Sequence, residues 1–385
     1  MKVSNVMFSL LRYVINGEEV SEELKNSISP ELLSGLYKLS KMHDLSHLVC
    51  VALDDNGLLD NNKEMAALFR QQRTMAVYRV EQIQYELKEI CSVFEESGIA
   101  YIPLKGSIVR RYYPESWFRT CCDIDVLVKE EQLQAAVNAL MENLGYVSQG
   151  KAYHDISMLS PSGVHLELHF NILEKQANID ALLRNVWDYA RPVENKRVYE
   201  MCNEFLMFHM IAHSYYHFLH GGCGVRTILD LYILEKEMPY DKNKVTAMLA
   251  ECGITKYYEA IRSLATTWFE NVPMDETLAD VQTYILYGGI YGNLQNRIAV
   301  QQVQVGGKSK YLWRRIFMPY DDLKEIYPNL KGKKWLFPFY QVKRWCKLLF
   351  GGRLKRSMNE LNVNISVSEK EKQRTEKMMQ MLELK

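Results

Sequence analysis

The chain has 385 residues, of which 48% are apolar and 24% charged, the proportions of a globular protein with a core to bury. Lys plus Arg and Asp plus Glu are equal at 47 each, so net charge gives no argument for nucleic acid or an acidic surface as partner. The eight cysteines form no C-x-x-C pair or regular framework, which argues against a zinc cluster or disulfide scaffold and fits a reducing cytosol. No apolar run approaches the roughly 20 residues that cross a bilayer, and the first residues lack a signal-peptide core. The expectation is a cytoplasmic protein without a transmembrane segment.

Residues 1–95 read as an N-terminal helical region. Ser29 followed by Pro30 is a helix start, Asp54-Asp55-Asn56-Gly57 is a turn, and the stretch from Asn62 to Glu96 is rich in good helix formers. Residues 96–178 change character. A short apolar run from Gly98 to Leu104 ends in Lys105-Gly106-Ser107, and Ile108 to Tyr113 can form a short helix closed by Pro114. A strand follows at Asp123–Val128, then an amphipathic helix from Glu130 to Leu144 stopped by Gly145. Tyr146–Gln149, Asp155–Leu159 and Val164–Phe170 complete the strands, the last two joined by the turn Ser160-Pro161-Ser162-Gly163. The order β-α-β-α-β-β-β predicts a small mixed sheet backed by helices, hence an α+β protein. Residues 179–305 read as helical again, including Glu204–His220 and Arg226–Glu237, and residues 306–385 form a basic, aromatic extension.

A strand places residues i and i+2 on one face, roughly 6.7 Å apart. Asp123 and Asp125 therefore point the same way while Ile124, Val126 and Val128 enter a core. Two carboxylates so close repel unless a cation lies between them, and a hard divalent ion such as Mg²⁺ or Mn²⁺ answers that need. In the later strand His165, Glu167 and His169 share a face. If the two strands are neighbours, Glu167 joins the aspartates as a third ligand or as the base that deprotonates an acceptor. A His-Glu-His face can also hold a transition metal, which keeps a metal-dependent hydrolase as an alternative.

Leu104-Lys105-Gly106-Ser107, the D-x-D strand and Glu167 resemble the minimal nucleotidyltransferase core shared with DNA polymerase β-like enzymes. With Tyr113-Pro114, Arg119 and Glu167-Leu168-His169 added, the set resembles a poorly characterised bacterial family of nucleotidyltransferases, and the likeness reaches His213, His217, Arg226 and Asp230. Ser107 lies sixteen residues before Asp123, a longer gap than the superfamily usually shows. The resemblance implies transfer of a nucleoside monophosphate from a nucleoside triphosphate, such as ATP, to an acceptor, with release of pyrophosphate and two-metal catalysis. It assigns Asp123, Asp125 and Glu167 to metal and catalysis, and Lys105, Gly106, Ser107 and Arg119 to the nucleotide. Arg110, His169, His213, His217, Arg226 and Asp230 would line the substrate cleft. The acceptor stays open among small molecule, protein and RNA. The rival on the same scaffold is a nucleotide- or partner-binding protein without turnover.

His209, His213 and His217 recur every four residues and share one helix face, either as structural histidines or as part of the cleft. Residues 331–356 hold nine Lys/Arg and no Asp or Glu, interleaved with Trp335, Phe337, Phe339, Tyr340 and Trp345. The plainer expectation is a basic helix that packs its aromatic side on the core. The other is weak contact with RNA or an anionic surface.

Overall fold

The computed structural model describes residues 2–350 and 354–384 and divides into two compact units, Met1–Tyr216 with Gly224–Glu276, and His217–Cys223 with Thr277–Lys385. Residues 351–353, inside the basic segment singled out above, lie outside the described residues. Among the described residues no helix is long and apolar enough to cross a membrane.

The first unit begins with helices Val3–Asn16, Glu22–Ser27, Pro30–Met42 and Ser46–Asp55. Ser29 caps the third of these, its hydroxyl accepting from the Leu32 amide, with Pro30 in the first turn where no donor is missed. The long helix Lys63–Glu96 follows and ends before Gly98, whose φ of 68° lets the chain reverse.

Five strands form the sheet: β1 (Tyr101–Pro103), β2 (Asp123–Val128), β3 (Val147–Lys151), β4 (Asp155–Leu159) and β5 (His165–His169), in the spatial order β1-β2-β5-β4-β3. Only β2 and β5 run parallel; the other pairings are antiparallel. One face is sealed by Ile83, Ile90 and Phe94 of the long helix and by Leu133, Ala136 and Leu140 of the helix Leu133–Leu144. Ile124, Val126, Val128, Leu166 and Leu168 meet them there. The alternation expected for β2 and β5 is what permits this, since each strand gives that core every second residue.

Beyond the sheet the chain is not continuously helical. Ala190–Pro192 and Tyr199–Met201 pair as a short antiparallel ribbon, closed by a turn with Asn195 at φ 56°. Strands of three residues hold too few alternations to register against a helical background. Helices Asn203–Leu219, Val225–Glu237, Lys242–Cys252 and Thr255–Phe269 follow, and Trp268 stacks on Phe8 with ring centroids 4.7 Å apart.

The second unit is a set of short helices around a small core of Ile298, Ala299, Tyr311 and Val367. Its helix Glu369–Met381 opens with a capping box between Ser368 and Glu371. Gly292 is required where it stands, because a Cβ there would lie 2.7 Å from the Gly221 carbonyl carbon.

Candidate active site

The site is built on the parallel pair. Register sets Asp123 beside His165, Asp125 beside Glu167 and Leu127 beside His169. Ile124, Val126, Val128, Leu166 and Leu168 face the helices, so the acids and histidines emerge together on the opposite face, with Leu127 among them. The Asp125 side chain is only 6% exposed, whereas Glu167 is 29% exposed and borders the open side.

The turn after β1 brings a cation to this pair. The Leu104 amide donates to the Asp125 carbonyl, which fixes the next residue beside the carboxylate. Lys105 has φ 46°, a left-handed conformation unusual for a side-chain-bearing residue, and such strain persists only where the surroundings enforce it. Its Nζ lies 2.8 Å from Asp125 Oδ1 and 4.0 Å from Glu167 Oε2. His169 Nε2 lies 2.9 Å from the same Asp125 oxygen and 3.5 Å from Glu167 Oε2.

These contacts set the charge states. Burial alone would raise the Asp125 carboxyl, but Lys105 and His169 outweigh it and hold it well below the usual carboxylate range. The mirror effects appear on the partners: burial pushes Lys105 and His169 down, and the carboxylates more than reverse it, leaving both raised. Glu167 is lowered, mainly by its hydrogen bond to His169. Asp123 is raised by burial and by the charge of Asp125, with Lys105 opposing.

Asp125, Glu167 and His169 each offer one ligand atom, and these atoms lie within 4.8 Å of one another. Two carboxylate oxygens and an imidazole nitrogen suit a small divalent cation, and the nitrogen suits Mn²⁺ better than Mg²⁺. The group contains two of the three carboxylates expected from the sequence, with His169 in the third place. Asp123 stands outside it, although it feels the charges of Asp125, Lys105 and Glu167.

Several other residues singled out in the sequence are engaged with one another. Arg119 Nε reaches both oxygens of Asp230, at 2.7 and 2.9 Å, and the Tyr113 hydroxyl donates to Asp230 Oδ1 at 2.7 Å, all buried. Burial opposes the charge of Arg119, but Asp230 overcomes it and raises the guanidinium further. Arg226 pairs with Asp44, which also accepts from the Thr120 hydroxyl at 2.8 Å. Arg110 Nε donates to the Gly106 carbonyl and Nη2 to Cys121 Sγ, both at 2.9 Å or less. Gly106 is explained by the same loop: a Cβ would sit 3.2 Å from Cys121 Cβ. Ser107 is buried, and Arg111 pairs with Glu200 on the surface. The cysteines Cys121 and Cys122 are thiols, the first buried and the second exposed.

His213 donates through Nδ1 to Glu174 Oε1 at 2.7 Å. Burial first and then the charge of Lys105 push its imidazole down to about 3. Its neighbour His209 is buried within the first unit, while His217 falls in the second. Sequence reasoning missed Asp44 and Glu174. Asp44 sits at the end of a helix with φ 54°, a turn-like position that by itself carries no signal of an ion pair with a residue 182 positions away. Glu174 follows β5 in an irregular stretch, where no periodicity points to a face.

An α+β chain that aligns carboxylates on neighbouring parallel strands, beside a lysine-bearing turn, has the architecture expected of a nucleotidyltransferase core. Residues 30–270 match the family described as uncharacterised nucleotidyltransferases, and the chain belongs to that family. None of the curated proteins compared with it matches. Among solved structures, a solution structure of the antibiotic-resistance factor ANT(2″)-Ia is similar at a TM-score of 0.33 and 12% identity, over 48% of this chain and 96% of that one. That likeness is too slight to support any argument about this chain.

Proposed function

We propose that the chain moves a nucleoside monophosphate from a nucleoside triphosphate, ATP being one candidate donor, to a hydroxyl, phosphate or amine acceptor. The acceptor is a small molecule, a protein or RNA. In this reading the acceptor oxygen or nitrogen bonds to the α-phosphorus, the bond from that phosphorus to the β-phosphate oxygen breaks, and pyrophosphate leaves. The observation that carries it is the register of Asp125 with Glu167 beside the Lys105 ammonium.

Asp125, Glu167 and His169 would hold the divalent cation, with Asp123, which feels the charges of Asp125 and Glu167, on the same strand face. Bound Mg²⁺ or Mn²⁺ would supply charge neutralisation for the phosphates. Glu167, the more open carboxylate, is placed to take the acceptor's proton. Lys105 is the cationic group nearest the carboxylates and would bind the triphosphate, orienting it for in-line attack. Arg119 and Asp230 would act indirectly, holding the loop that enters β2. A cytoplasmic location completes the reading, since that compartment supplies nucleoside triphosphates and keeps thiols such as these reduced.

The test is incubation with each α-labelled nucleoside triphosphate, Mg²⁺ or Mn²⁺, and a cell extract. Label should move to an acceptor with release of pyrophosphate, and Asp125→Asn should abolish both. Cation-dependent nucleotide binding with no pyrophosphate release under any of these conditions would refute transfer and favour a binding role. Tightly held Zn²⁺ with release of free phosphate would instead favour a hydrolase.

A further inference from the structure

In the second unit the helix Phe337–Phe350 packs three aromatics inward, Phe337 against Tyr320, Tyr340 against Tyr327 and Trp345 against Phe317, and leaves a second apolar side uncovered. Hydrogen bonds to backbone carbonyls add to these ring contacts on the inward side. Gln341 Nε2 donates to the Met318 carbonyl, Trp345 Nε1 donates to the Ile316 carbonyl at 2.8 Å, and Arg344 donates to the carbonyls of Arg315 and Ile316. Phe339, Val342, Cys346, Leu349 and Phe350 are left outward. Their spacing of three and four places them in one stripe along the helix, with Phe339 63% and Phe350 86% exposed. Trp335, just before the helix, is 77% exposed. Of the five aromatics expected to pack inward, Phe337, Tyr340 and Trp345 do so, while Trp335 and Phe339 do not; the ring contacts and the hydrogen bonds to carbonyls fix the helix with a separate apolar stripe to solvent.

We infer that this stripe is a docking surface for an anionic phospholipid bilayer. The charge around it fits that occupant. Residues 331–356 carry nine Lys/Arg and no acidic residue, although the chain as a whole is neutral. Lys343 and Lys347 follow Phe339 at helical spacing and border one edge of the stripe, where their ammonium groups can stay with headgroups while the stems lie along apolar surface. An amphipathic helix with Phe, Leu and a nearby Trp on one face and lysines beside it lies in the plane of a bilayer interface. Single-stranded nucleic acid is a poorer fit, because Val342, Cys346 and Leu349 offer no ring on which a base can stack. A second copy of the chain is also a poorer fit, since self-pairing would set two wholly basic segments against each other.

The experiment is co-sedimentation of the full chain with vesicles of phosphatidylcholine alone and of phosphatidylcholine mixed with phosphatidylglycerol. Binding should favour the mixed vesicles roughly tenfold or more, since each lysine near such a surface adds severalfold, and should weaken as salt is raised. Phe339→Ala with Phe350→Ala should lower partition into mixed vesicles roughly tenfold without moving the thermal midpoint, because both side chains are exposed. Lys343→Glu with Lys347→Glu should abolish the preference for the mixed vesicles. Absence of binding to either vesicle overturns the inference. So does equal binding by the phenylalanine variant, or a stripe covered in solution by self-association or by single-stranded RNA.

Discussion

Replacing Asp230 with alanine strands the guanidinium of Arg119 inside the first unit. Both side chains are at most 8% exposed, and the pair is joined at 2.7 Å, so water cannot take over the lost contact. Removing one member of such a buried pair costs about 3–5 kcal/mol, mainly through the charge left behind. The Tyr113 hydroxyl also loses its acceptor, a further loss of about 1–3 kcal/mol if it were independent. Groups that share one carboxylate are not additive, so about 4 kcal/mol is expected for the single variant. The assay is urea unfolding followed by circular dichroism. With a slope near or above about 3 kcal/mol/M for a chain of this size, the midpoint of the transition involving the first unit should fall by about 1 M. The diagnostic variant is Arg119→Met with Asp230→Ala. Removing the stranded charge as well, with methionine filling most of the arginine's volume, should recover most of the loss. A double variant that loses the sum of the two single losses would refute the reasoning, because it would show that the two residues are not coupled.

Three further outcomes follow from the geometry. Lys105→Met removes the ammonium from Asp125 and should lower the transfer rate by about 10²-fold, the scale on which losing one charge-stabilising donor acts; unchanged turnover in the labelling assay would remove Lys105 from the site. His209 is buried and pushed down to about 3 by burial and by His213. The unfolded chain therefore takes up its proton first as pH falls, so stability is lost from about pH 6.5 downward until the folded imidazole itself protonates near 3. His209→Phe should flatten that acid slope by up to about 1.4 kcal/mol per pH unit, measured as urea midpoints across the range; identical slopes would contradict the assignment. Gly106→Ala drives a Cβ to within 3.2 Å of Cys121 Cβ and should destabilise by about 1–3 kcal/mol through overpacking, read as a lower thermal midpoint.

The alternation in Asp123–Val128 and Val164–Phe170 carried the information that matters most. Period two decides which residues share a face, and a parallel pairing of the two strands then brings Asp125 to Glu167. Sequence favoured Lys105 and Arg119 for the nucleotide but could not separate the two. Lys105, Arg110, Arg111 and Arg119 all lie near the D-x-D strand along the chain, but only folding shows which of them meets a site carboxylate. Lys105 meets Asp125, while Arg119 meets an aspartate 111 residues away and Arg110 a thiol. Long-range pairing of this kind leaves no periodic trace. The Phe337–Phe350 helix is a different case. Its apolar spacing was readable, but spacing says only that a stripe exists and not whether protein covers it.

Asp44 gives the fold a practical consequence. The stretch that leads into the acidic strand is fastened at Thr120 by a side chain from the amino-terminal helices, which is itself tied to Arg226 far downstream. His47 Nε2 adds a second fastening at the Phe118 carbonyl, 2.8 Å away. A gene fragment spanning only residues 96–178 would keep every strand of the main sheet and lose these anchors. The candidate site is accordingly no portable cassette: grafted or expressed by itself it would present its aspartates on a loose tether, and engineering of this nucleotidyltransferase-family chain has to carry both flanks along.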